Sequence, residues 1–304
     1  MRATFWVMYL TAILLPTAVL ANEAEQGMAT VWEVLWHQSG TPTRLVRWEN
    51  DIRVRLTGIN LASHREHTLG ALRAVTTEAG ISLVDVSDQP GQAANLTVEI
   101  VADHLLEDNQ PCVTSLNFRT ETRIDSGVIQ MRSRDAWRCA YHEAMHVMGV
   151  RGHPSGRTVL SYFPWQVDML QPLDKVMLRA WYSPRMTSGM TPFEALPVLA
   201  DELVASLPDK PAATDAKNRF LAQTIGQMRD FANGQGNMPE VVKRSGKATD
   251  EGLRNGRSEM SFFLGVAYHE GASVAADSVQ AVRWFERAAS AGNRRAQARL
   301  GAFR

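Results

Sequence analysis

The sequence predicts an α+β fold up to about residue 206, followed by an all-α remainder. Three observations predict it. Short stretches before residue 135 alternate apolar and polar residues, as in Ile52-Arg-Val-Arg-Leu56, which is the period of a half-buried strand. Residues 139–153 read Cys-Ala-Tyr-His-Glu-Ala-Met-His-Val-Met-Gly-Val-Arg-Gly-His and contain His-Glu-x-x-His, whose two histidines share one face of an α-helix. From Leu207 the composition shifts, and the segments that follow carry helical periodicity.

Residues 1–21 read as a secretory signal: Arg2 gives a positive start, Thr4 to Leu20 is mostly apolar, and Val19-Leu20-Ala21 fits a small-residue cleavage site before Asn22. Pro16 and the short apolar run argue against an uncleaved anchor, since a spanning helix wants about 20 apolar residues. No later stretch is apolar enough to span a bilayer. The expectation is a periplasmic or secreted protein with no membrane attachment after cleavage. The 32 basic and 32 acidic residues cancel, so no charge excess draws the chain to nucleic acid.

Thr30–Trp36 and Asp51–Leu56 read as strands, residues 65–79 as a helix closed by Gly80, and Ile81–Val86, Asn95–Val101 and Gly127–Met131 as further strands. His64 and His67 stand three residues apart, as the polar start of a helix or, less simply, a second metal site. Cys112 and Cys139 make an even count in an exported chain, which favours a disulfide. Two alternatives stay open: Cys139 shares a helical face with His142 and His146 and can be a ligand, or both thiols are free.

Positions i and i+4 of an α-helix lie about 40° apart in rotation and about 6 Å apart along the axis. His142 and His146 therefore point two imidazoles at one metal ion, with Glu143 beside them as a candidate general base. Gly149 ends the helix in a left-handed turn, and the doubled-back chain offers His153 as a third ligand. Asp174 reads as a helix cap or structural hydrogen bonder, not a ligand.

This block resembles the metzincin zinc peptidases, whose pattern is H-E-x-x-H-x-x-G-x-x-H. The chain departs from it in having Val150, Arg151 and Gly152 between Gly149 and His153, one residue more than the family. Thr158-Val-Leu-Ser-Tyr-Phe163 resembles the Met-turn, with Leu160 in place of Met as the apolar floor and Tyr162 in place of the family's Tyr. Tyr162 is then a fourth ligand or an oxyanion donor; its plainer reading is a half-buried loop tyrosine. The stretch Pro172–Tyr182 resembles the helix after the Met-turn, and the block to about Pro197 is similar to an uncharacterised family of secreted bacterial domains. The resemblance implies a mixed sheet, an edge strand beside the cleft, a Zn2+ cofactor held by His142, His146 and His153, Glu143 as general base, and a peptide or protein substrate.

Residues 207–216, including Pro208–Asp215, read as a linker. Residues 217–304 look helical, and Leu264, Gly265, Tyr268, Gly271, Asp277, Ala281, Trp284, Ala288, Ala289 and Gly292 resemble a Sel1-like repeat. This region is a module for a protein partner or a structural cap. The domain reading is thus a signal at 1–21, a metzincin-like peptidase domain at 22–206, a linker and a Sel1-like region. The competing reading, from a different class, is a non-enzymatic exported interaction protein whose metal only staples the fold. A third is an amide hydrolase of cell-wall material.

Overall fold

The computed structural model describes residues 17–37, 40–161, 167–246 and 249–302. The elements run α1 (Thr17–Glu33), β1 (Arg47–Trp48), β2 (Ile52–Gly58), α2 (Leu61–Ala79), β3 (Leu83–Asp85), β4 (Leu96–Val101), β5 (Cys112–Phe118), β6 (Arg123–Arg132), α3 (Ala136–Val147), α4 (Pro172–Trp181) and α5 (Pro192–Ser206). Five more helices follow: α6 (Lys210–Asn233), α7 (Glu240–Arg244), α8 (Asp250–Glu270), α9 (Ser278–Ser290) and α10 (Arg294–Ala302). This is the mixed helix-and-sheet organisation that the sequence predicts, with the strands confined to the first half.

The sheet is mixed. β3, β2, β4 and β6 pair in parallel in that order, and β1 adds a short parallel pairing to β6. β5 runs antiparallel along the other side of β6, so it forms an edge. In β2, Ile52, Val54 and Leu56 are buried while Arg53 is exposed, as a period of two requires. Gly80 closes α2 at φ 68°, and its N–H reaches back to Thr76 and Thr77.

Two expectations from sequence are corrected. Thr30–Trp36 is not a strand: its first residues end α1, and the chain then turns into an isolated bridge at Trp36. Every side chain from Thr30 to Trp36 is buried, and a run buried on all sides has no face by which a strand can be told from a helix. Residues 207–216 are not a linker either, since α6 starts at Lys210. Pro211 sits in the first helical turn, where a missing N–H costs nothing, and Asp209 caps Ala212 N at 3.0 Å. The residues that read as loop punctuation are a helix start. Of the expected signal, residues 1–16 lie outside the described residues and Thr17–Ala21 begin α1. No described helix is long and apolar enough to cross a membrane.

One hydrophobic core joins both halves. Trp32 stacks on Phe193 at 5.9 Å, and Trp36 meets Phe231 of α6 edge-on at 6.2 Å. Phe262, Phe263 and Phe285 belong to the same buried cluster as the sheet residues. α8 and α9 approach closely because Gly265 faces Phe285: a Cβ there would lie 2.5 Å from the ring. Asp277 caps α9 through Gln280 N at 3.0 Å, and Gly271 closes α8 at φ 73°. Gly265→Val should destabilise the protein by about 2–3 kcal/mol through overpacking, lowering the melting temperature by several degrees. Thermal melts followed by circular dichroism measure this. An unchanged melting temperature would mean that the α8–α9 contact is looser than described.

Candidate metal centre

α3 carries the site because its last turn is held from several directions. Trp48 Nε1 donates to Val147 O at 2.8 Å, and the Tyr182 hydroxyl donates to Met148 O at 2.9 Å. These bonds satisfy carbonyls that a helix end otherwise leaves without partners. Gly149 then turns the chain at φ 89°, pressed so near Val46 that a Cβ would stand 2.1 Å from its carbonyl oxygen. Gly152 is equally confined: its Cβ would lie 2.5 Å from Glu33 O and 2.8 Å from Trp36 O. The extra residue before His153 is thus absorbed between two glycines that both lie flush against neighbouring backbone.

The reversal brings three imidazoles together. His146 Nε2 stands 3.1 Å from His142 Nε2 and 3.0 Å from His153 Nε2, and the third edge is 3.3 Å. Two of the rings are fixed through their other nitrogens. His142 Nδ1 donates to Val159 O at 2.8 Å, and His146 Nδ1 donates to Val150 O at 2.7 Å. Both bonds set the tautomer that leaves a lone pair on Nε2. Val159 N in turn donates to Asp174, at 3.1 Å to Oδ2. Asp174 also accepts from Gln171 N at 2.8 Å, so it is the structural hydrogen bonder expected of it.

Burial lowers the pKa of all three histidines, to about 4 for His142 and His146, with the neighbouring imidazoles adding to the fall at His142 and His153. Neutral rings with aligned lone pairs are what a metal requires. Among the described residues the triad is the one group able to share a metal ion. Cys139 is excluded as a ligand because it is bonded to Cys112, tying the first turns of α3 to β5. His64 and His67 serve the start of α2, bonding Ser133 Oγ at 3.2 Å and Trp137 O at 2.9 Å.

The triad opens on a cleft of about 570 Å3, with β5 along one wall and Glu143 beside the histidines. Glu143 is buried, and its Oε2 accepts from Thr114 Oγ1 at 2.6 Å. Burial raises its carboxyl above the ordinary range, against the opposing pull of His142 and Thr114. Leu160 is fully buried, and Ser161 lines the cleft. Tyr162 lies outside the described residues. Thr114, the Val159 carbonyl and Glu33 carry no signal in the sequence that marks them. Glu33 matters because its Oε2 accepts from Ser155 N at 2.6 Å and its Oε1 meets Arg244 at 2.8 Å, holding the chain just past His153. Compared with models of protein families, with curated proteins and with solved structures, the chain finds no match.

Gly152→Ala should push His153 away from its partners and weaken metal binding about 10- to 100-fold, with His142 and His146 retained; metal titration of the purified variant measures it. Burial also pushes Asp174 up to about 7 from its ordinary 3.8. Its folded value lies above its unfolded one, so the stability it confers is complete at low pH and is lost as pH rises toward about 7. The stability of the wild type relative to Asp174→Asn should therefore fall by about 2–3 kcal/mol between about pH 5 and about pH 8, read from denaturant midpoints. A difference that is flat with pH would show the carboxyl ionised throughout.

Proposed function

We propose that this chain is an exported zinc metallopeptidase of the metzincin kind. The observation that carries this reading is the meeting of three imidazole nitrogens 3.0–3.3 Å apart in a cleft that also holds Glu143. Three ligands with bonds of about 2.0–2.1 Å in tetrahedral directions stand about 3.3 Å from one another, so the triangle fits one tetrahedral ion. An all-imidazole set suits zinc, and three protein ligands leave the fourth position open, as in catalytic sites rather than structural ones. Bound there, zinc would supply Lewis acidity that acidifies a water and polarises a peptide carbonyl.

The residues of this chain would do the rest. Glu143 takes the proton of the attacking water and hands it to the leaving amine nitrogen, a shuttle helped by a carboxyl that burial has already made more basic. Thr114 orients the carboxylate from β5. β5 offers an edge along the cleft, where an extended peptide can add as a further strand with its scissile bond at the triad. Tyr162 follows Ser161, which lines the cleft, and the sequence assigns it the oxyanion or a fourth ligand position. The C-terminal helices are read as a Sel1-like cap: α8 and α9 pack through Gly265, and Arg244 supports the Glu33 anchor of the site. That role favours a scaffold for the catalytic half over a free-standing partner module.

The test is metal content and peptide cleavage in three proteins. Wild type should hold about one zinc per chain and cleave peptides, and His153→Ala should lose most of the metal. Glu143→Gln should keep the zinc and lose about 10²- to 10⁴-fold in kcat/KM. A Glu143→Gln protein as active as wild type, or a wild type that takes up no zinc, would overturn the peptidase reading.

A further inference from the structure

The residue by which this chain exceeds the metzincin spacing brings a cation to the cleft. In the turn between Gly149 and His153, Val150 is fully buried and its carbonyl holds His146, while Gly152 is flush against the backbone of Glu33 and Trp36. Arg151, between them, is half-buried and lines the cleft together with His37 and the triad. The same cleft wall thus carries the guanidinium and the three imidazoles.

Among the described residues Arg151 has no ion pair and no hydrogen bond, and burial alone acts on its guanidinium. The cleft carboxylates do not serve it. Asp108 is paired with Arg132 and Arg134, Glu143 is held by Thr114, and Asp168 is exposed without reaching ion-pair distance. None of its nitrogens is among the buried donors left without a partner, so its five donors face the open cleft, where an acceptor that arrives can take the place of water. A divalent ion on the adjacent triad would add to the positive field and favour an anion further. The geometry of a guanidinium fork matches a carboxylate.

We propose that Arg151 is a specificity-determining residue that binds a carboxylate of the substrate next to the scissile bond, an inference that rests on the peptidase reading. The carboxylate has two sources: an acidic side chain near the cleaved bond, or the free C-terminus of a chain cut close to its end. The shared chemistry is one fork-to-carboxylate contact in the cleft.

The experiment uses the zinc-loaded full chain and synthetic N-acetylated octapeptide pools. Each pool carries Glu, Gln or Lys at one fixed position and ends in either a free carboxylate or an amide. Cleavage sites are read by mass spectrometry. Wild type should prefer Glu over Gln at one position near the cut, or free over amidated ends, by about 10- to 100-fold, the size of one charge-assisted contact. The first pattern identifies a side-chain carboxylate and the second a terminal one. That ratio should fall to near unity in Arg151→Gln, persist in Arg151→Lys, and turn toward Lys-bearing peptides in Arg151→Glu. A merely structural role for Arg151 would not produce the inversion. If wild type cleaves without any such preference, or Arg151→Gln keeps the same ratio, the inference fails and the peptidase reading stands. If wild type cleaves nothing, the peptidase reading fails, and fluorescence anisotropy with labelled Glu and Gln octapeptides decides the rest. Tighter binding of the Glu peptide by wild type but not by Arg151→Gln keeps Arg151 as a carboxylate receptor, and equal binding removes it.

Discussion

Three imidazoles can face one another at 3.0–3.3 Å only if the chain that carries them is held against its own tendency to spread. Burial keeps the three rings neutral, so Nε2 lone pairs converge on one point and repel one another, an arrangement that a shared cation would relieve. The rest of the sheet-bearing half can be understood from this constraint. A helix must deliver two rings at one spacing, a glycine must reverse the chain at once, and fixed acceptors must take the Nδ1 protons. The acceptors are main-chain carbonyls of Val159 and Val150, so the rings are oriented by the path of the backbone itself.

That backbone path is secured from far along the chain. Trp48 and Tyr182 meet the carbonyls at the end of α3, and Trp181 Nε1 donates to Val46 O at 2.9 Å, beside the point where Gly149 presses. Asp174 holds Val159, which holds His142. Glu33 holds Ser155 and is itself held by Arg244 of α7. Elements separated by as much as two hundred residues thus converge on a reversal of seven residues. The largest core cluster, running from the sheet through Trp36 and Phe231 to Phe285, makes that convergence rigid.

Much of this was legible in the sequence, for identifiable reasons. The His-Glu-x-x-His spacing fixes a face of a helix regardless of context, and Gly149 marks its end because few other residues tolerate that turn. β2, β4 and α2 were legible because each has one buried face, so the period survives in the pattern. Thr30–Trp36 was not, because complete burial erases the period. β5 escaped notice because an edge strand on a cleft is only partly covered on both faces and carries little contrast. Its partner Thr114 is an ordinary threonine until the disulfide and β6 bring it against Glu143. The supporting acceptors at Val159 and Val150 are carbonyls, which every residue has, so no side-chain pattern could announce them.

The strongest argument between the enzyme and the scaffold readings comes from cost. A metal that only staples a fold needs its ligands and their orienting bonds, and nothing more. Here a carboxyl group is buried next to the ligands with one side-chain hydrogen bond, in surroundings that oppose its ionised form. A second charged group, Arg151, is half-buried on the same cleft without a counter-charge among the described residues. The burial of Glu143 destabilises the fold relative to an apolar side chain of similar volume. Two charged groups without counter-charges, both lining one cleft beside three imidazoles, fit a site shaped for chemistry better than a metal staple. Glu143 is suited to a proton in transit and Arg151 to an anion that arrives, and both face the open side of the triad's cleft.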